Sequence, residues 1–273
     1  MQRRGFGREN SINVHLDVTE QKKLIMKENT TPTSNAFANI TDADYAVLPH
    51  ILVTAQAMGR ITRQKIYIVD FFRREFLYVS DDFTHLCGLK REEVLDMGFG
   101  FYQKYIPIAD MDKLHDIVTK ASSFCDSLIE EGKGAFTIFC DFNLCHDGTT
   151  QLVNHQVTPI IIKNGKPWLA LCSVSLSPNK SAGNLVVKEN DSRTLHKYAH
   201  ESHSWTTLDY HDLKKLEHNI LSMSAQGMTT NEIASTLCKS PDTIKSCKKN
   251  IFDKSDVTSI AEAIIFYMTY GCF

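Results

Sequence analysis

The chain has 273 residues, enough for about two domains, and its 42% hydrophobic and 23% charged residues are ordinary for a globular protein. Its net charge of −2 excludes a polycation, and no apolar run approaches the roughly 20 residues of a membrane span. The eight cysteines form no Cys-x-x-Cys pair, and Met1-Gln2-Arg3-Arg4 does not lead into the apolar region of a secretory signal. These features predict a cytoplasmic protein with reduced thiols.

The first 58 residues are predicted to form a helical N-terminal flank. A short helix is predicted over 18–27. A second begins at Thr41-Asp42-Ala43-Asp44, which places acids in the first turn. Apolar residues then recur at helical spacing from Tyr45 to Ala55. Pro49 is expected to weaken or kink this helix.

Residues 59–177 are predicted to combine a sheet with helices. Two β-rich runs, Lys65–Asp70 and Glu75–Ser80, are joined by a charged turn. Short helices near 82–87 and 91–97 and a longer one over 110–124 follow. Three strands, at 135–142, 151–162 and 168–176, are then separated by the turns Asp147-Gly148 and Asn164-Gly165, both typical of hairpins.

Residues 178–211 are predicted to be a linker, because the run 177–183 is rich in turn-forming residues. Within it, Leu185–Val187 and Trp205–Thr207 are predicted to pair as a small hairpin. His196, His200 and His203 include an i,i+4 pair that would chelate zinc on a helix. Without a carboxylate in the usual register, a solvated face or a packed linker is expected instead.

Two closely spaced helix starts follow in residues 212–273. Thr229 and Glu232 have the spacing of a capping box, and Gly227 suits the left-handed position that ends the preceding helix. Ser240 can cap the next helix, and Pro241 suits its first position, where no amide hydrogen is needed. This pattern predicts a helix, a tight turn and a second helix.

The second of these helices is basic. Residues 213–254 contain seven lysines and four acids, a local charge of +3 that leaves −5 for the rest of the chain. Ile244 and Ile251 lie two turns apart and are expected to face inward, which puts Lys245, Lys248 and Lys249 on the exposed side. A short helix, a tight turn and a lysine-bearing helix can place one helix in the major groove of DNA.

Residues 213–263 resemble the LuxR-type (GerE) helix-turn-helix of bacterial transcription regulators. The matching positions are Glu217, Ile220, Leu221, Ala225-Gln226-Gly227, Glu232-Ile233-Ala234, Leu237, Ser240-Pro241, Thr243-Ile244-Lys245, Asn250-Ile251, Lys254, Val257 and Ala263. The resemblance implies that Lys245, Ser246 and Lys249 face base edges and that Thr243 and Asn250 meet phosphate. It also implies that the last helix supplies a dimer contact. Lys248 and Lys254 complete the predicted DNA-binding set.

Three positions depart from the family pattern. Ser255 stands where a leucine is usual, which is expected to loosen packing under the last helix. Cys247 replaces a frequent histidine, so the family's base preference at that position is not carried over. Leu216 replaces a charged residue, which is consistent with a place in an interface.

The element order over 60–177 resembles a PAS domain. Leu89–Asp96 is similar to a PAS helix that often reads Ser-Arg-Glu-Glu-Leu, and Asp110–Leu114 is similar to the acidic start of the long PAS helix. PAS domains act as small-molecule sensors or as protein-contact modules, and the sequence leaves both open. No cofactor or metal is predicted: the cysteine-containing flavin signature is not visible, and His115 alone is a weak indication of a haem ligand. Cys140 and Cys145 fall on opposite faces of a strand, which disfavours a metal site with His146.

The sequence therefore predicts an α+β chain in which a helical flank and a PAS-like antiparallel sheet domain precede an all-α, four-helix LuxR-type domain. The predicted function is sequence-specific binding of double-stranded DNA by a homodimer, with the PAS-like domain sensing a small-molecule or protein signal or mediating dimerisation. No catalytic arrangement is evident, so an enzyme is not predicted. Two alternatives stay open: a PAS-based signalling adaptor that does not bind DNA, which Ser255 favours, and an enzyme carrying haem or flavin.

Overall fold

A computed structural model describes residues 40–177, 179–209 and 213–270. The helix predicted over 18–27 lies outside the described residues. A 3₁₀ helix, Asp42–Val47, begins at Thr41, whose amide donates to Asp44 Oδ2 at 2.8 Å, and it leads into α1 (Leu48–Thr62). Pro49 lies in the first turn of α1, where a proline removes no helical hydrogen bond, and the predicted helix is divided just before it into the 3₁₀ helix and α1.

Eight antiparallel strands form one sheet in the order β2-β1-β5-β4-β3-β6-β7-β8. The Asp147-Gly148 and Asn164-Gly165 turns have positive φ at both residues, as the predicted hairpins require. The strands are β1 (Lys65–Asp70), β2 (Glu75–Val79), β3 (Phe136–His146), β4 (Thr149–Lys163), β5 (Lys166–Leu176), β6 (Leu185–Glu189), β7 (Thr194–Ala199) and β8 (Ser204–Asp209).

Four helices lie between β2 and β3 and cover one face of the sheet, called here the inner face. They are α2 (Asp81–Cys87), α3 (Arg91–Met97), α4 (Gly100–Tyr105) and α5 (Ile108–Glu130). Their apolar side chains and those of β1 to β5 form a continuous core that is rich in aromatic residues. The opposite, outer face is covered over β1 and β5 by α1, through Ala55, Ile66 and Ile68. The first five strands and these helices have the layout predicted for a PAS-like domain.

The segment predicted to be a linker instead extends the sheet. β6 pairs with β3, β7 with β6 and β8 with β7. The predicted hairpin between 185–187 and 205–207 is wrong, because β7 lies between those strands. His196 lies on β7, with Nε2 2.8 Å from Glu189 Oε1 and Nδ1 3.2 Å from Thr207 Oγ1. The helical i,i+4 geometry considered for zinc is therefore absent at His196.

The C-terminal part is a four-helix domain. Its helices are α6 (Lys215–Ala225), α7 (Thr230–Thr236), α8 (Pro241–Ser255) and α9 (Ile260–Thr269). They pack around a shared apolar core to which every helix contributes: Ile220, Leu221, Ile233, Ala234, Ile244, Ile251, Ala263 and Tyr267. The predicted fold class is confirmed. Within the described ranges, no helix has the length and apolar character needed to cross a bilayer.

Candidate DNA-binding surface and sensor interior

The two predicted caps form at the starts of α7 and α8. Thr229 N donates to Glu232 Oε2 at 2.7 Å, and Glu232 N donates back to Thr229 Oγ1 at 3.3 Å. Ser240 Oγ accepts from Thr243 N at 3.1 Å, and Pro241 occupies the first turn of α8. These bonds satisfy amides that a helix start leaves unpaired, so the first pair fixes where α7 begins and the Ser240 bond fixes where α8 begins.

The inward side of α8 is anchored as predicted. Ile244 and Ile251 are fully buried, and Cys247 packs partly against the same core. Ser255 is also buried, and its hydroxyl donates to the carbonyl of Ile251 at 2.8 Å. The serine in place of the family's leucine therefore leaves no unsatisfied polar group. Leu216 is half-buried against this core.

The outward side of α8 is open. Lys245, Ser246, Lys249 and Asn250 are all exposed. Lys245 Nζ lies 3.2 Å from Asp242 Oδ1, but these side chains are 69% and 90% exposed. An ion pair in that setting contributes less than about 1 kcal/mol, so the lysine is available to another anion. This surface consists of three of the predicted base-facing residues and one predicted phosphate contact.

The other three predicted residues have partners inside the domain. Thr243 Oγ1 lies 2.9 Å from Ser240 Oγ at the cap. Lys248 Nζ donates to Thr230 Oγ1 at 3.2 Å, and partial burial lowers the pKa of Lys248. Lys254 Nζ donates to Glu217 Oε2 at 2.6 Å, with side chains 19% and 4% exposed. Their contacts with DNA stay predictions, while the contacts of Lys248 and Lys254 within the domain hold α8 against α7 and α6.

A buried polar cluster on the inner face of the sheet was not found by sequence reasoning. The Tyr67 hydroxyl contacts His155 Nε2 and lies 2.5 Å from the Tyr102 hydroxyl. Cys140 Sγ lies 3.8 Å from His155 Nδ1, and the buried thiol of Cys172 belongs to the same core. These five side chains are called the interior cluster. The available signal was the alternation of strand β4, which puts residue 155 on the same face as apolar residues 153 and 157.

Burial keeps the interior cluster uncharged. Desolvation lowers the pKa of His155 to about 4 and raises the pKa of Cys140 to about 12. The Tyr67 and His155 rings are nearly parallel, with centroids 5.7 Å apart. His115, considered as a haem ligand, lies apart on α5, with Nε2 3.5 Å from Thr119 Oγ1. The interior cluster thus offers neutral hydrogen-bonding groups between flat aromatic surfaces.

Comparison with known proteins identifies the class of the C-terminal part. Residues 212–267 match the family model described as "Bacterial regulatory proteins, luxR family". This segment is a LuxR-type helix-turn-helix domain, which confirms the resemblance found in the sequence, and it supports a DNA-binding regulator rather than an enzyme. A search of curated proteins gives no match.

Solved structures that match part of this chain were also found. The phage VqmA–DPO complex is 18% identical over 80% of this chain and 91% of that chain, with a TM-score of 0.27. The Vibrio cholerae VqmA–ligand–DNA complex is 13% identical over 80% and 87%, with a TM-score of 0.31. The PAS domain of a Colwellia psychrerythraea protein is 15% identical over 46% and 97%, with a TM-score of 0.33. These similarities are too weak to transfer residue roles or ligands to this chain.

Proposed function

We propose that the protein is a sequence-specific transcriptional regulator of the bacterial cytoplasm that reads duplex DNA with α8. The observation that carries this proposal is the two-sidedness of α8. Ile244 and Ile251 are fully buried, while Lys245, Ser246 and Lys249 are exposed on the opposite side. A helix fixed on one side and basic on the other suits the major groove. Its lysine–phosphate contacts would make binding depend strongly on salt.

The test is binding of the full chain to a duplex selected from a random DNA pool. Lys245→Ala with Lys249→Ala is expected to weaken binding at least tenfold, because each good base contact contributes about 1–3 kcal/mol. Lys180→Ala with Lys197→Ala is the control, since it removes the same charge from exposed positions in the strand-rich part of the chain. Equal affinity of the two double variants would contradict the assignment of the surface.

We further propose that the interior cluster binds the signal, and that this signal is a small, flat, neutral molecule with nitrogen or oxygen acceptors. The support is chemical: Tyr67, Tyr102 and His155 present uncharged donors and acceptors in an aromatic core. The three groups are bonded to one another, so a ligand has to replace those bonds with its own, which favours a molecule with matching donors and acceptors.

A thermal-shift screen of the full chain against small heteroaromatic compounds tests this. A true ligand should raise the melting temperature of the wild type and leave that of His155→Leu unchanged. Phe124→Leu is the control, because Phe124 packs away from the interior cluster, against Trp205 with ring centroids 4.1 Å apart. A ligand that stabilises His155→Leu as much as the wild type would place the site elsewhere.

The homodimer is a proposal as well. It is supported by an apolar stripe on α1, where Val53, Ala57 and Ile61 recur at four-residue spacing and are all exposed. A helix-turn-helix that reads two half-sites needs such a contact between copies. Val53→Asp with Ile61→Asp should shift the protein from dimer to monomer in sedimentation equilibrium, whereas Gln56→Asp with Arg60→Asp on a neighbouring face should not. A monomeric wild type would refute the proposal.

A further inference from the structure

Helix α9 contributes to two cores at once. Ala263 and Tyr267 are fully buried in the four-helix domain. Phe266, which also packs against that core, and Tyr270, one turn further on, contact the outer face of the sheet, where they meet apolar side chains of four strands. Those side chains are Phe139 on β3, Val186 on β6, Leu195 on β7 and Leu208 on β8.

The contact has both apolar and polar components. The Phe139 and Tyr270 rings meet edge to face, with centroids 5.0 Å apart and planes at 73°. The Lys188 ammonium group donates to the carbonyl oxygen of Tyr270. Phe139, Val186 and Leu195 are all buried in this arrangement. The four residues Phe139, Val186, Leu195 and Leu208 are called the docking platform.

Docking leaves the outward side of α8 open, since Lys245, Ser246 and Lys249 remain exposed while α9 packs on the sheet. The contact therefore does not block DNA directly. It sets where the DNA-binding domain stands relative to the sheet.

Strand β3 joins the docking platform to the interior cluster. Cys140 faces inward and contacts His155, while Phe139 on the next position faces outward and contacts Tyr270. Asp141, also buried, accepts from Asn154 Nδ2 at 2.7 Å and is bonded by Asn179 Nδ2 as well. Since successive side chains of a strand point to opposite faces, a shift of β3 acts on both sites together.

We infer that α9 docks the DNA-binding domain on the docking platform and that β3 couples this position to the interior cluster. A change in the interior that moves β3 then alters the placement of α8 without contacting it. That this coupling regulates DNA binding rests on the proposed function, whereas docking and coupling themselves are properties of the protein without DNA.

Hydrogen exchange of the α9 amides in the full chain, without DNA, tests docking. Leu208→Asp places a charge on the docking platform and should speed α9 exchange at least tenfold. It should also enlarge the radius of gyration in X-ray scattering. Thr206→Asp is the control, because residue 206 is exposed on the same face of β8. Equal α9 exchange in the two variants overturns docking.

A second pair of variants tests docking with substitutions outside the sheet, in case Leu208→Asp disturbs the sheet. Tyr270→Ser removes the ring that meets Phe139, while Met268→Ser changes a 65% exposed side chain of the same helix. Faster α9 exchange only in Tyr270→Ser supports docking. Equal exchange in the two refutes it.

Coupling is tested with two buried thiols of the interior cluster. Cys140→Ser alters β3, and Cys172→Ser makes the same change on β5, which carries no residue of the docking platform. Coupling predicts that α9 exchange rises at least threefold in Cys140→Ser and stays within twofold of the wild type in Cys172→Ser. Equal rates in both overturn coupling. Binding to the selected duplex is measured separately, so loss of docking is distinguishable from failure of the DNA-binding proposal.

Discussion

The ion pair between Lys254 and Glu217 should hold the DNA-binding domain together. Lys254→Met removes the ammonium group that lies 2.6 Å from the Glu217 carboxylate, whose side chain is 4% exposed. The carboxylate keeps the amide of Lys214, at 2.8 Å, as a hydrogen-bond donor. Breaking a fully buried pair in this way costs about 3–5 kcal/mol. Because the Lys254 side chain is 19% exposed, solvent reaches the pair and we expect about 2–3 kcal/mol.

Urea unfolding of the full chain, followed by the helical circular dichroism signal, measures this loss. The matched control is Lys245→Met, which breaks the exposed pair with Asp242 and should cost less than about 0.5 kcal/mol. The two variants remove the same charge from the same helix. If they unfold at the same urea concentration, the structural role of Lys254 is refuted.

Three further changes have defined outcomes. Thr229→Ala should lower the free energy of unfolding by about 1 kcal/mol through loss of the α7 cap, while Thr206→Ala, outside any helix cap, should cost less; calorimetry compares them. His155 is neutral in the folded chain. As the pH falls, its imidazole is therefore protonated in the unfolded chain before it is protonated in the folded chain. Stability should therefore fall by about 3 kcal/mol as pH drops from 6.5 to 4, a dependence that His155→Leu should flatten in acid titrations. Gly165→Ala, at a φ of +73°, should cost about 1 kcal/mol, whereas Gly100→Ala, in a helix with open space at Cβ, should stabilise; equal shifts in melting temperature would contradict this.

The C-terminal domain could be predicted closely because its signals are local. Cap residues act within three positions, so Thr229 and Ser240 mark helix starts without knowledge of the rest of the fold. The hairpin turn at Asn164-Gly165 is local in the same sense, since it depends on backbone conformations that few residues adopt.

The extension of the sheet could not be predicted in the same way. β6 is held by β3, across more than forty residues of chain, and no turn signal specifies that partner. Pairing Leu185–Val187 with Trp205–Thr207 treated the segment as isolated, whereas β7 separates the two strands.

The interior cluster and the docking of α9 depend on tertiary contacts. His155 looks like an ordinary strand residue until the fold places it against Tyr67 from another strand. Likewise, the family resemblance implied a dimer contact for the last helix, and no local signal indicated that Phe266 and Tyr270 contact the sheet. Lys248 was assigned from its charge and helix position and Lys254 from its charge and the family pattern, and neither signal shows which ammonium groups already have partners.

The most direct test of the central claim is the specificity ratio of the full chain. Its affinity for a duplex selected from a random pool is compared with that for a shuffled duplex, across a salt series. We predict that the wild type binds the selected duplex at least about 10³-fold more tightly. Lys245→Ala with Lys249→Ala should lose most of that ratio, and Lys180→Ala with Lys197→Ala should keep it. A wild type that binds both duplexes equally at every salt concentration would contradict sequence reading by α8.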